Sequence, residues 1–322
     1  MIQKPRGTQD YFADEFFSRR ELENKFIAFY TQKGYWGMET PIFEQKNLFV
    51  RTVGEETEIV QKELFDLEKK SDEIYSLRPE FTAGMIRSLI EKGIKSMPLP
   101  VKIMSVGPCF RYERPQKGRK RQFNQLDTEL IGKKSPEIDA EYIASSVEFL
   151  SSVGIKNLVL TLNDFGSTES RLKYAGTLNA YLKNSTGLCE LCRNRVQRNP
   201  LRVLDCKDEK CRKIIKLGPK IVDYLTSDEK KYFDETVVAL KELLKESLQS
   251  VLVDPFLVRG LDYYTGIVFE ISVKGDESRM NSIGGGGRYD GLIRELGGPD
   301  MPAIGCGLGF ERIVEYLKEK KL

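Results

Sequence analysis

Two runs of alternating residues joined by a basic loop, FRYERPQKGRKRQFNQLDTELIG at residues 110–132, constrain the fold of this chain more than any other stretch. Successive side chains of an extended segment point to opposite faces. Cys109, Arg111 and Glu113 therefore share one face, and Phe123, Gln125, Asp127 and Glu129 share one face of the next segment. Phe110, Leu126 and Leu130 turn the other way, toward a core. A loop centred near Gly118 predicts an antiparallel pair with Arg111 opposite Gln125, which sets a cation, an amide and a carboxylate on one surface. Such a row faces either water or a ligand. Arg114, Lys117, Arg119, Lys120 and Arg121 crowd the loop and repel one another unless an anion is near. Triphosphate and RNA backbone are the candidate anions, and a solvated hairpin tip is the alternative.

The chain of 322 residues contains no histidine. That excludes a histidine general base, a Ser-His or Cys-His nucleophile pair and any histidine-ligated metal, and leaves chemistry that runs on positioning and electrostatics. A net charge of +3 from 51 basic and 48 acidic residues is too balanced for a bulk nucleic-acid coat, so any RNA contact must be local. No apolar run approaches the roughly 20 residues of a membrane span, and the start, MIQKPRGTQDYF, has no apolar signal core. A cytoplasmic protein with no membrane contact is expected. Six cysteines in a chain of this size read as reduced thiols.

Along the chain, an apolar stripe of Phe17, Leu22, Phe26, Phe29 and Tyr30 predicts a helix from about Asp14 to Lys33, stopped by Gly34. Ser135 as N-cap, Pro136 at the first helical position and Gly154 as stop predict a helix over 136–153. A strand is expected at 158–162. Residues 166–248 are rich in charge and carry a cysteine cluster, which reads as a helical module inserted between a first part, 1–165, and a second part, 249–322. The second part reads as strands around a Gly-rich turn, ending in a strand-to-helix unit.

Three constellations carry chemistry. In LVRGLDYYTG, Arg259 and Asp262 sit beside the Tyr263-Tyr264 pair in an apolar frame, the pattern of a lined pocket, and a strand with ordinary core tyrosines is the alternative. The run Gly284–Gly287 followed by RYDG lacks the lysine of a phosphate loop, so alone it predicts only a turn. In AIGCGLGFER, Gly305 and Gly307 bare a strand against which a flat base can lie, and Arg312 can stack on that base. Tight strand-helix packing with a surface arginine is the alternative. Cys189, Cys192, Cys206 and Cys211 have the two-pair layout of a structural zinc site, although buried free cysteines of a small module give the same spacing.

The segments LRPEFTAGMIR, FRYERPQKGRKRQFNQLDTE, LVRGLDYYTG, GGGRYDGL and GCGLGFER, in this order, resemble the histidyl-tRNA synthetases of class II. PRGTQDYF near the start and NPLRVLDCK extend the likeness over essentially the whole chain, and RGLDYYTG is its most specific piece. The resemblance implies an α+β fold, an antiparallel sheet flanked by helices with an inserted helical module, and a homodimer with Pro41 near its interface. It implies two-step chemistry: L-histidine attacks the α-phosphate of ATP, with Mg²⁺, to give histidyl-adenylate, and the 3′ end of tRNA(His) then accepts the histidyl group. Arg111 and Arg259 would be the catalytic arginines. Glu80, Phe81, Thr82, Arg111, Gln125, Glu129, Arg259, Tyr263 and Tyr264 would form the histidine site, with Glu129 and Tyr264 bracketing the imidazole. Arg111, Glu113, Arg119, Phe123, Gly305 and Arg312 would bind ATP.

Two departures stand out. Tyr112 and Asn124 occupy positions where many family members carry histidine, and the family's C-terminal anticodon-binding domain is expected to be absent, since the chain stops after EYLKEKKL. A regulatory paralogue without adenylate chemistry, such as the ATP phosphoribosyltransferase regulatory subunit, is the nearest rival, and the intact Arg111, Arg259 and RGLDYYTG argue against it. A nucleic-acid-binding module leaves Glu80, Gln125 and Glu129 unexplained.

Overall fold

The computed structural model describes residues 2–68, 72–115, 119–245, 250–274 and 282–320. The elements run α1 (Asp14–Gln32), β1 (Trp36–Gly37), β2 (Phe43–Gln45), α2 (Lys46–Val53), β3 (Tyr75–Leu77), α3 (Thr82–Glu91), β4 (Val101–Phe110), β5 (Gln122–Ile131), α4 (Pro136–Ser152) and β6 (Leu158–Asp164). There follow α5 (Thr168–Lys183), α6 (Glu190–Arg198), α7 (Glu209–Lys216), α8 (Ser227–Leu243), β7 (Ser250–Val253), β8 (Ile267–Val273), β9 (Ser282–Arg288), α9 (Leu292–Glu295), β10 (Ala303–Gly309) and α10 (Phe310–Glu319).

Eight strands form one sheet in the order β1-β4-β5-β10-β9-β8-β6-β7. Its six inner strands are antiparallel, whereas β1 and β7 at the edges pair parallel. Alternation divides the sheet into two faces. Leu126, Leu130, Leu160, Phe269 and Leu308 point to one side, where α1, α4, α8 and α10 bury them. Each such side chain contributes roughly 1.5–3 kcal/mol of burial. The opposite face carries Gln125, Asp127, Glu129, Glu270, Gly305 and Gly307, and α3 and the α5–α7 segment stand over it.

The helices end where the local signals place them. Ser135 accepts a hydrogen bond from the Ile138 N–H at 3.2 Å, and Gly34 follows α1 in the left-handed conformation. Phe17 departs from its expected core position and stands exposed; the buried stripe is Arg19, Leu22, Glu23, Phe26 and Tyr30. Arg19 can be buried because its guanidinium meets Glu311 at 2.8 Å and lies over the Tyr11 and Phe310 rings. The expected insert, 166–248, is divided in space: α5–α7 stand over the polar face, while α8 places Phe233, Val237 and Leu240 in the core beneath α4. Arg288, at the end of β9 and fully buried, reaches Asp139 in the first turn of α4 through two hydrogen bonds of 2.7 Å.

Two further expectations are corrected. Gly284–Gly287 form β9 in the middle of the sheet and not a turn. Their glycines answer crowding, since a Cβ on Gly286 would lie 1.8 Å from the Gly305 carbonyl oxygen. The β4-β5 register also differs: Gly107 faces Gln125 and Phe110 faces Gln122, while the Arg111 N–H donates to the Arg121 carbonyl. The strand register is therefore shifted from the one a loop centred on Gly118 would set. Lys117 and Gly118 themselves lie outside the described residues.

Candidate active site

The polar face of the sheet is the floor of a cavity of about 780 Å³. Its acidic end is built from β5 and the start of α3. Both oxygens of Glu80 are held by the first turn of α3, which donates the Thr82 and Ala83 N–H groups at 2.7 and 2.9 Å; this carboxylate caps the helix while lining the cavity. Thr82 Oγ1 donates to Glu129 Oε1 at 2.6 Å, and the Tyr289 hydroxyl donates to Glu129 Oε2. Asp127 is in electrostatic reach of both Glu80 and Glu129, and Gln125 follows along the strand.

Burial pushes the carboxyls of Asp127 and Glu129 well above the usual range and raises that of Glu80. Mutual repulsion adds to the rise at Asp127, and Arg111 and Arg78 work against it. The other end is cationic. Arg111, anchored through its Nε to the Pro79 carbonyl at 3.0 Å, lies 5.2 Å from the Phe123 ring centroid. Arg259 meets Glu270 at 3.2 Å, Arg119 meets Glu113 at 3.1 Å, and Arg312 donates to the Ser282 carbonyl.

Among the described residues, Gln125 Oε1, Asp127 Oδ2 and Arg259 Nε are buried without a hydrogen-bond partner. An unmet buried polar atom costs about 1–3 kcal/mol, and three of them around one cavity mark a place shaped for a polar guest. Two acceptors at one end suit a cation, and a donor at the other suits an anion. Glycines make the room: a Cβ on Gly305 would fall 1.9 Å from Glu129 Oε2, and one on Gly307 would fall 3.0 Å from both Gln125 and Asp127.

Glu80, Thr82, Arg111, Glu113, Arg119, Phe123, Gln125, Arg259, Tyr263, Tyr264, Gly305 and Arg312 all line this cavity. Phe81 does not; it is buried under the Arg78 guanidinium, 4.2 Å from its ring centroid. Glu129 is fully buried one layer below the wall, reached through Tyr289 rather than through Tyr264. Tyr289, Glu270 and Arg202 were not singled out from sequence, and only the alternation of β8 gave any signal, by turning Glu270 to the same face as the other polar groups.

A sequence model of histidyl-tRNA synthetase matches residues 7–313. The chain belongs to the histidyl-tRNA synthetase family. The histidine–tRNA ligase of Clostridioides difficile (strain 630) is 44% identical over 320 residues, covering 99% of this chain and 75% of that protein. The histidine–tRNA ligase of Thermosipho melanesiensis is 43% identical over 321 residues, with 99% and 75% covered. The crystal structure of apo S. aureus histidyl-tRNA synthetase superposes on the whole of this synthetase-family chain and on 75% of its own, with a TM-score of 0.78 at 34% identity. A Bacillus halodurans C structure titled ATP phosphoribosyltransferase regulatory subunit/histidyl-tRNA synthetase has a TM-score of 0.69 with 98% and 83% covered; at 24% identity it shares the fold alone.

Proposed function

We propose that this chain is the catalytic region of a histidine–tRNA ligase, which joins L-histidine to the α-phosphate of ATP and passes the histidyl group to tRNA(His). The observation that carries the reading is the single cavity with orphaned acceptors at one end and an orphaned arginine Nε at the other. The ammonium of histidine is assigned to Gln125, Asp127 and Glu80, with Thr82 at the rim. Its imidazole is read by the Tyr289–Glu129 pair, beside the Tyr263 ring that packs on Tyr289. Arg111 and Arg259 take the α-phosphate, Phe123 and the bare strand at Gly305 take the base, and Arg119 and Arg312 take the outer phosphates. ATP enters as its magnesium complex, and Glu113 and Glu270, two carboxylates at the cationic end, suit that ion as hard oxygen donors. Magnesium would neutralise phosphate charge, while the fixed arginines favour the transition state in which that charge grows. No proton needs to be removed by a side chain, which agrees with a chain lacking histidine.

The test is pyrophosphate exchange into ATP, measured with each amino acid in turn. Exchange with histidine alone is expected. Exchange that ignores histidine overturns the reading, and complete silence favours the regulatory-paralogue alternative.

The acidic end gives a pH signature. Burial raises the carboxyls in the free protein, and a bound ammonium stabilises their charged forms, so binding lowers their pKa and expels protons. Affinity for histidine accordingly rises with pH between the free and bound values and falls as the groups protonate. Calorimetry in buffers of different ionisation enthalpy, run as a pH series, should show carboxyl proton release on binding in the window between the bound and free values. Release at no pH removes the assignment. A second copy of the chain is proposed to cover the exposed Trp36, Ile42, Phe43 and Ile74, and light scattering gives the mass that decides it.

A further inference from the structure

Above the cavity, the α5–α7 segment contains a feature that the proposed reaction does not use. Cys189, Cys192, Cys206 and Cys211 bring four sulfurs within 4.8 Å of one another. The Cys189 and Cys206 sulfurs are 3.9 Å apart, and all four cysteines are free thiols. A tetrahedron with zinc–sulfur bonds of about 2.3 Å has edges of roughly 3.8 Å, so the four side chains can close on one ion by small rotations. Two backbone N–H groups already point at the sulfurs, Cys189 at Cys211 Sγ (3.2 Å) and Cys192 at Cys189 Sγ (3.4 Å), a pattern that favours thiolate.

The surroundings explain the need. The pieces joined here are α6, a 3₁₀ segment at Pro200–Asp205 and α7, of 9, 6 and 8 residues. Their own buried apolar residues are few, chiefly Leu188, Val196, Val203 and Ile215, and they lean on Tyr174, Leu178 and Leu182 of α5. A metal staple would tie such short elements to one another. Soft sulfur ligands in fourfold closure select zinc over magnesium or calcium.

We infer that these four cysteines bind one structural zinc ion, which fixes the base of an arm that holds the loop bearing Arg259. The arm runs between the two cysteine pairs. Its Arg202 donates to Asp262 Oδ1 at 2.6 Å and to the Arg259 carbonyl at 3.2 Å. Arg195 donates to the Arg202 carbonyl at 3.0 Å, bracing it from α6. Because Cys192 and Arg195 share α6, the cysteine cluster reaches the Arg259 backbone through that helix and two hydrogen bonds. Only the functional half of this inference rests on the proposed activity.

The experiment measures metal in protein purified without chelator, by elemental analysis, together with the zinc released as a mercurial titrates the thiols. One zinc per chain, freed as the four clustered cysteines react, is expected, and Cys192→Ser and Cys211→Ser should each contain none. Iron, a disulfide within the cluster, or four reactive thiols with no zinc overturns the site, whatever the activity proves to be. If the variants fail to fold, the metal content and thiol titration of the unaltered protein still decide. With zinc content unchanged, Arg202→Ala should lower kcat of histidine-dependent exchange more than it raises KM for histidine. An unchanged kcat refutes the link to Arg259 while leaving the zinc result standing.

Discussion

Replacing Arg259 with lysine should lower kcat for histidine-dependent pyrophosphate exchange by about 10²–10³, the usual cost of removing one preorganised charge donor from a transition state. The guanidinium is fixed before any substrate arrives: Glu270 holds one nitrogen at 3.2 Å, and Nε is buried without a partner among the described residues. Gly285 leaves space beside it, since a Cβ there would lie 3.0 Å from the Arg259 NH1 nitrogen. A lysine keeps the charge but offers one compact donor in place of a planar fork, so it cannot satisfy Glu270 and a phosphoryl oxygen together. Because the phosphate charge grows during reaction, the loss should fall on kcat more than on the KM for histidine. A lysine variant within threefold of the parent would remove Arg259 from the reaction centre, provided its melting temperature is unchanged.

The largest expected effect on stability lies at a residue that does not line the cavity. Arg288→Met should cost about 3–5 kcal/mol, the range for breaking a buried ion pair by removing one partner. Arg288 gives Asp139 two hydrogen bonds of 2.7 Å, Asp290 one of 2.8 Å and the Lys133 carbonyl one of 2.9 Å. Methionine fills similar space but leaves the buried Asp139 with only the Tyr232 hydroxyl, 2.9 Å away. Adding Asp139→Leu removes the stranded charge, and the double variant should regain part of the loss. Urea unfolding of the parent and the variants reads these terms. A single variant within about 1 kcal/mol of the parent would mean that water or another cation reaches Asp139 and that the pair is not a keystone.

The sequence made the chemistry of the hairpin legible because alternation is local: Gln125, Asp127 and Glu129 share a face wherever the strand goes. Its register was not legible, since pairing depends on the turn, and Gly107 rather than Arg111 lies opposite Gln125. Gly284–Gly287 misled for a related reason. Locally a glycine run signals a turn, but here the cause is the backbone of β8 on one side and of β10 on the other, which no neighbouring residue announces. Tyr289 escaped notice because its partner Glu129 is remote in sequence and meets it only across β10, where Gly305 has no side chain to intervene. Family likeness supplied most of the remaining residues, but it could not tell that Phe81 turns into the core and that Glu80 also caps α3.

The place of β10 between β5 and β9 bears on how the protein is born. Of the eight strands in the sheet, β10 leaves the ribosome last, yet it supplies Gly305 and Gly307 and joins the two halves of the floor. At about 5–20 residues per second, the β4-β5 hairpin waits of order ten seconds with one edge unpaired. A nascent chain in that interval has Arg111 and Glu129 but no cleft to hold them in relation, so ligand cannot rescue an unfinished molecule. Chaperone contact with the open edge of β5 is the exposure to look for, and ribosome-bound chains stalled before and after β10 would reveal it.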